Sequence, residues 1–301
     1  MNSDIDQVVL ITGGARGIGA ETAKALAARG ARVVLTDLDR AALDETVAAI
    51  GEEKALGVVA DVCDLPAMEA AVAAAVERFG RLDAAIANAG IASYGSVLHT
   101  DPAIFKRVMD INVLGVFHTA RAALPALIDS KGYLLVVSSL AAFAAAPGLS
   151  AYNASKAGAE HFANAVRLEV AHQGVTVGCA HMSWIDTPLV QDAKADLPAF
   201  QELLKKLPYP LGKTTDVESC VNAFVKGVEK RQRHVYCPGW VRGIGINRNV
   251  VNSAAGAIPI LRHVPRLLPQ MDEQVAALGR ATSARNLAND ASDAAAVDNK
   301  E

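Results

Sequence analysis

Short apolar runs alternate with longer stretches of helical character through the first 180 residues. Val8–Ile11, Arg32–Thr36, Leu56–Ala60, Leu82–Ala87, Tyr133–Val137 and Val175–Ala180 are brief and mostly β-branched or aliphatic. Each therefore predicts a buried strand. Between them, Ile18–Arg29, Leu43–Ile50, Pro66–Phe79, Ala103–Ile128 and Ala151–Gln173 are too long for strands and rich in Ala, Leu and Glu, which predicts helices. Asp64 can cap the helix that carries Pro66 in its first turn, and Gly80 and Gly174 stand where helices stop. Alternation sustained this long implies an α/β fold: a doubly wound parallel sheet with right-handed crossovers and helices on both faces. Ligands then belong at the carboxyl ends of the strands.

After Trp240 the pattern changes. Val241–Gln270 holds Gly243, Gly245, Pro259, Pro265 and Pro269 among apolar pairs, with a short helix predicted about Asp272–Leu278. Ala281–Glu301 is small and polar, which predicts disorder. The expected organisation is one domain over residues 1–240, an extension over 241–280 and a tail over 281–301. With 301 residues, 51% of them hydrophobic, the chain can bury a large core, and no linker-like stretch divides the first 240. A formal charge of −3 with scattered basic residues gives no reason to expect a nucleic-acid partner. Cys63, Cys179, Cys220 and Cys237 lie far apart without a CxxC pair, suggesting reduced thiols and no metal site. Neither a secretory signal core nor an uninterrupted apolar membrane span is visible, so a soluble, cytoplasmic protein is expected.

Candidate chemistry begins at the first turn. The strand Val8–Ile11 runs into Thr12-Gly13-Gly14-Ala15-Arg16-Gly17-Ile18-Gly19 and then a helix. Glycines there allow a tight turn and let backbone N–H groups approach a pyrophosphate at the positive helix end. No Gly-Lys-Ser/Thr follows, which excludes a P-loop. The second strand ends at Asp37, 18 residues after Gly19, where a carboxylate can accept hydrogen bonds from an adenine ribose. That charge would repel a 2′-phosphate and favours NAD over NADP. Arg16 and Arg40 pull the other way, but flexible charges at the rim weigh less than one at the 2′ position.

A second constellation follows. Tyr152 and Lys156 share one helix face, one turn apart, and Ser138 and Ser139 end the strand Tyr133–Val137 at the ligand-bearing side of the sheet. A free tyrosine titrates near ~10, but a neighbouring ammonium and an oxidised nicotinamide ring would favour the phenolate. Such a phenol can take or return the proton of an alcohol, with a serine hydroxyl holding the same oxygen.

These pieces together resemble the short-chain dehydrogenase/reductase family, over about four-fifths of the chain, from Ile5 to Trp240. They are Thr12-Gly13-xxx-Gly17-Ile18-Gly19, Asp37, Asp61-Val62, Asn88-Ala89-Gly90, Asn112, Ser138-Ser139 and Tyr152-xxx-Lys156. The resemblance implies a Rossmann-type fold and a catalytic set of Ser139, Tyr152, Lys156 and Asn112. Ser139 is chosen because it lies thirteen positions before Tyr152, leaving Ser138 to support the turn. It further implies that Lys156 binds the nicotinamide ribose and that Asn112 anchors a water in a relay to Lys156. Asp61 and Val62 would meet the adenine, Asn88 and Gly90 would line the cofactor, and Ile185 and Thr187 would contact the carboxamide. The family usually has Asn-Pro-Gly after the sixth strand, where this chain reads His181-Met182-Ser183 before Trp184, so the pocket there should differ.

The substrate side reads as apolar. Pro188–Gly212 carries Leu189, Val190, Leu197, Phe200, Leu203, Leu204, Leu207 and Tyr209, and suggests a lid. Ala141, Phe143, Ala144 and Ala145 add small apolar walls, and Met182, Ser183 and Trp184 should touch substrate. A hydrophobic, uncharged secondary alcohol or ketone, of cyclic terpenoid or steroid-like kind, is expected. The rival readings are a non-catalytic dinucleotide-binding regulator and a reductase of a polar sugar or acyl-thioester carbonyl. The resemblance implies a homodimer or homotetramer through Ala103–Ile128 and Ala151–Gln173, and the Pro-rich stretch Ile258–Leu268 is a second candidate subunit contact.

Overall fold

The computed structural model describes residues 6–287. Seven strands form one parallel sheet in the order β3-β2-β1-β4-β5-β6-β7. They are β1 (Val8–Thr12), β2 (Arg32–Asp37), β3 (Ala55–Val59), β4 (Ala84–Ala87), β5 (Tyr133–Val137), β6 (Thr176–Met182) and β7 (His234–Cys237). Chain order reverses between β1 and β4, so the connections from these two strands leave in opposite directions and open a crevice at their carboxyl ends.

Alternation along the central strands divides the core. Val9 and Ile11 of β1 face one side with Val33 and Leu35 of β2, under α1 (Gly17–Ala27), α2 (Arg40–Ile50) and α9 (Val217–Glu229). Val8, Leu10 and Val34 face the other, under α3 (Leu65–Phe79), α5 (Gly115–Ser130) and α6 (Ser150–Val170). Both faces being covered is why these strands read as unbroken apolar runs. Asp39, Asp64, Asp101 and Asp216 accept backbone N–H bonds at the starts of α2, α3, α4 (Pro102–Met109) and α9.

The structure departs from the sequence reading in four places. The stretch Ala103–Ile128 is not one α-helix: a π-helical turn at Asp110–Leu114 separates α4 from α5. There Gly115 meets α3's approach, since an added Cβ would stand 2.6 Å from Val62 Cγ2. The unit Pro102–Ser130 is long and apolar enough by composition to cross a membrane. Here it packs on the sheet through Val116, Ala120, Ala123 and Leu127, while Phe105, Leu114 and Phe117 stay partly exposed. The seventh strand, His234–Cys237, was not apparent from pattern because it is four residues long with an exposed histidine at its start.

The extension is largely helical. It comprises α10 (Val241–Ile246), α11 (Arg248–Val251), α12 (Ala254–Leu261) and α13 (Val264–Leu278), the last far longer than the Asp272–Leu278 helix expected. Pro265 sits in the first turn of α13, where its missing N–H costs nothing, and Pro269 is carried within it. Leu267, Met271 and Val275 pack on Phe200, Leu203 and Leu204 of α8 (Pro198–Lys206), next to α7 (Pro188–Asp196). Ile258–Leu268 thus leans on its own chain, with Ile258 and Leu261 left exposed. Lastly, Ala281–Leu287 is ordered rather than loose: Thr282 and Ser283 are buried, and Tyr94 N–H donates to the Ala281 carbonyl at 2.8 Å. The rest of the expected disordered tail, 288–301, lies outside the described residues.

Candidate active site

Between β1 and α1 the backbone turns at Gly13 and Gly17, whose φ angles of +63° and +57° suit residues without a Cβ. Asn88, at the end of β4, fastens this turn by donating from Nδ2 to the carbonyls of Thr12 (2.9 Å) and Gly13 (3.2 Å). A cleft of about 280 Å³ opens above it at the strand-order reversal. Of the residues expected to hold a dinucleotide, Gly13, Arg16, Gly17, Ile18, Asp37, Asp61, Val62, Asn88, Gly90, Tyr152, Lys156 and Thr187 all line this cleft. Two do not. Gly19 sits under the turn, where a Cβ would be 2.2 Å from the Gly13 carbonyl oxygen, so its task is close packing. Ile185 faces a neighbouring apolar cavity instead.

The cleft fits an extended dinucleotide because its floor is made where side chains are missing. A Cβ at Gly13 would lie 3.0 Å from Ala89 Cα, and one at Gly90 would lie 3.2 Å from Lys156 Nζ. At the β2 end, Asp37 is fixed by backbone donors: Ala15 N–H at 3.0 Å, Leu38 N–H at 2.9 Å and Asp39 N–H at 3.3 Å. The two arginines that could have favoured a 2′-phosphate already have carboxylate partners. Arg16 meets Asp39 at 2.6 Å and Arg40 meets Asp44 at 3.2 Å. Backbone N–H bonding from Ala42, with the Arg16 guanidinium, holds the Asp39 carboxyl below its ordinary range.

At the other end, α6 brings Tyr152 and Lys156 together. Lys156 Nζ lies 5.6 Å from the Tyr152 ring centre and donates to the Val137 carbonyl at 3.1 Å. Burial holds the Lys156 ammonium down at about 8. Burial also pushes the Tyr152 phenol up, opposed by a hydrogen bond shared with the Ser139 hydroxyl. Of the chain's own groups, burial thus outweighs the Ser139 hydrogen bond at the phenol. Ser139 Oγ also accepts from Ala141 N–H at 3.1 Å and lies 3.4 Å from the Met182 carbonyl. Ser138 donates to the Lys156 carbonyl at 2.8 Å, tying β5 to α6.

Asn112 lies in the π-helical turn, fully buried, and lines neither cavity. Its Oδ1 accepts from Ile91 N–H, and its Nδ2 donates to the Ile91 carbonyl and to Ser155 Oγ, each at 2.9 Å. The side chain is thus a clamp holding the Gly90-Ile91 loop beside Lys156. Those three bonds fix the side chain, and with it the π-helical turn, against the loop after β4.

Beyond Tyr152 lies an apolar cavity of about 140 Å³. Ser139, Ala141, Met182, Ser183 and Trp184 line it as expected, and so do Leu189, Val190, Ala193, Phe200, Leu203, Leu204 and Leu207 from α7 and α8. The segment Pro188–Gly212 is therefore both a helix pair packed on the core and the outer wall of this cavity. Trp184 Nε1 donates to the Leu211 carbonyl at 2.9 Å, pinning the end of that wall. Ala92, Tyr94, Leu149 and Ile260 also contribute and were not anticipated; Tyr94 and Ile260 belong to loops and an extension whose placement no local pattern fixes. His181 is fully buried and stacked on Phe143 at 4.3 Å, away from both cavities, as befits a structural residue. Asp192, Ser283, Arg285 and Asn286 line the dinucleotide cleft and were likewise missed.

A family model described as short chain dehydrogenase matches residues 7–198. The chain is 37% identical over 197 residues to the trans-4-hydroxycyclohexanecarboxylate dehydrogenase of Sinomonas cyclohexanicum, covering 63% of this chain and 76% of that protein. It is 36% identical over 203 residues to the (-)-trans-carveol dehydrogenase of Rhodococcus erythropolis, covering 62% and 73%. Among solved structures, levodione reductase superposes with a TM-score of 0.71 at 29% identity, over 78% of this chain and 97% of the other.

Proposed function

This chain belongs to the short-chain dehydrogenase family, and from that premise we propose that it interconverts a neutral, monocyclic, hydrophobic secondary alcohol and its ketone, with NAD as the partner in hydride transfer. The observation that carries the reading is the place of Tyr152, which lines both the dinucleotide cleft and the apolar cavity and shares a hydrogen bond with Ser139. A nicotinamide dinucleotide in the cleft supplies the hydride acceptor for oxidation or the donor for reduction. Tyr152 exchanges the proton of the substrate oxygen, and Ser139 holds that oxygen in place. Lys156 presents its ammonium beside the phenol and can reach a ribose over Gly90, where no side chain intervenes. Asn112 acts at one remove, by positioning the Gly90-Ile91 loop.

NAD is preferred because the fixed Asp37 carboxylate stands at the ribose end while Arg16 and Arg40 are engaged by Asp39 and Asp44. Asp37→Ala should weaken NADH binding about tenfold or more through lost charge-assisted hydrogen bonds. The Ala15 N–H also loses its acceptor, so the decisive quantity is the ratio of NADPH to NADH affinity by titration calorimetry, which should rise. A ratio unchanged from wild type would remove Asp37 as the discriminator.

The cavity sets the substrate class. Its volume of about 140 Å³ is comparable to a cavity of ~150 Å³ that holds benzene, which suits a single six-membered ring. Among the described residues, no charged side chain lines it. Burying a carboxylate there without a cation would cost several kcal/mol. With NAD+ and absorbance at the reduced-cofactor band, a cyclohexanol bearing a small alkyl group should be oxidised. The same ring bearing a carboxylate should give kcat/KM at least about a hundredfold lower. Equal or better turnover of the carboxylate, or turnover of polyols alone, would overturn this reading.

A further inference from the structure

The stretch after α13 completes the dinucleotide cleft in a way the Rossmann core alone does not. Gly279 ends α13 in the left-handed region, and Arg280 then grips Asp196 of α7 with two bonds of 2.8 and 2.7 Å. Thr282 Oγ1 donates to the Ala92 carbonyl at 2.9 Å, and Asn286 Nδ2 donates to Thr282 Oγ1 at 2.9 Å. Thr282 and Ser283 are each 3% exposed. These bonds hold the stretch against both the loop after β4 and α7. So held, it lines the same cleft as Gly13, Gly17 and Lys156 with Ser283, Arg285 and Asn286.

The charges at this edge of the cleft need an explanation. Asp192 of α7 also lines it, and a carboxylate beside a pyrophosphate would repel it. Pro188, at the start of α7, comes within 3.7 Å of where a Gly17 Cβ would be, so α7 and the glycine turn face each other across a narrow gap. The Arg285 guanidinium reaches Asp192 Oδ1 at 3.4 Å through one nitrogen. Its planar fork has five N–H donors, so one such contact leaves others for a phosphate. Arg16 pairs with Asp39 at 2.6 Å, away from Asp192, and Lys156 donates to the Val137 carbonyl.

We propose that Arg285 is a binding residue for the pyrophosphate of the dinucleotide, neutralising Asp192 and donating to phosphate oxygens across the cleft from the glycine turn. The C-terminal extension is then part of the cofactor site rather than an appendage to it. This rests on the reading of the cleft as a dinucleotide seat.

NADH titrated into the full-length chain, followed by fluorescence and calorimetry, tests it with three variants. Arg285→Ala should raise the NADH Kd about tenfold or more, and Arg285→Lys by only a few-fold. Asp192→Asn separates ligand contact from mere pinning, because it breaks the same ion pair. If Arg285 answers phosphate charge, Asp192→Asn should tighten NADH several-fold. Were Arg285 only an anchor, Asp192→Asn would weaken NADH as Arg285→Ala does, and the proposal would be overturned. Wild-type affinity in Arg285→Ala would overturn it too while leaving the dinucleotide reading intact. A wild-type chain that binds neither NADH nor NADPH would sink both.

Discussion

Tyr152→Phe is expected to cut kcat by about a hundred- to ten-thousand-fold, the range over which a positioned acid or base contributes, while NADH affinity changes less than twofold. The substitution removes one oxygen and leaves the ring that lines both cavities, so packing is kept and proton exchange lost. The pH profile carries a second signature. Lys156 is held down at about 8, and burial pushes the Tyr152 phenol up. Below that region the pair holds both protons, so no base is present and oxidation is slow. Above it the pair has lost one proton, shared between an ammonium–phenolate and an amine–phenol form. Alcohol oxidation should therefore rise as pH passes about 8, while ketone reduction, which needs the phenol proton, should persist until the raised phenol itself is lost. In Lys156→Met only the raised phenol remains, so the rise should move upward, past the ordinary tyrosine value of ~10. Retained turnover in Tyr152→Phe, or an unmoved midpoint in Lys156→Met, would refute the assignment.

What could be read from sequence follows from what is local. Val8–Ile11 and Tyr133–Val137 were legible because strands covered on both faces must be short and wholly apolar. Tyr152 and Lys156 were legible because four positions on a helix fix a shared face wherever the helix goes. The π-helical turn was not, because Gly115 is set by contact with Val62, more than fifty residues away. The partners of the Asn112 side chain, Ile91 and Ser155, become visible only once the turn is folded. Ala281–Leu287 read as loose by composition, yet Thr282 and Arg280 are bonded to Ala92 and Asp196, 190 and 84 positions earlier. Ionisation was the least legible property. Spacing puts an ammonium near a phenol, but the balance between charge and burial depends on how much apolar wall surrounds them.

Gly19→Ala should raise the NADH Kd by about a hundredfold and lower the melting temperature, against the trend for such a change in a helix. Gly19 lies within α1 (Gly17–Ala27), where Ala is favoured over Gly by about 1 kcal/mol. Opposing this, the new methyl would stand 2.2 Å from the Gly13 carbonyl oxygen and 2.9 Å from Asn88 Nδ2. Neither atom can swing aside freely: one is backbone of the glycine turn, and the other is bonded to the Thr12 and Gly13 carbonyls. Relief requires α1 to move outward, but its Ala20, Ala23 and Leu26 are buried and tightly packed. Overpacking of that kind costs about 1–3 kcal/mol, which exceeds the propensity gain, and it falls on the peptides that must point at the ligand. Gly243→Ala, within α10, is the control, since a methyl there meets nothing within 4 Å among the described residues; it should leave NADH binding unchanged and hold or slightly raise the melting temperature. Calorimetric melting and NADH titration of the two variants decide the matter. Wild-type NADH affinity in Gly19→Ala would mean that the glycine turn is not where the dinucleotide sits.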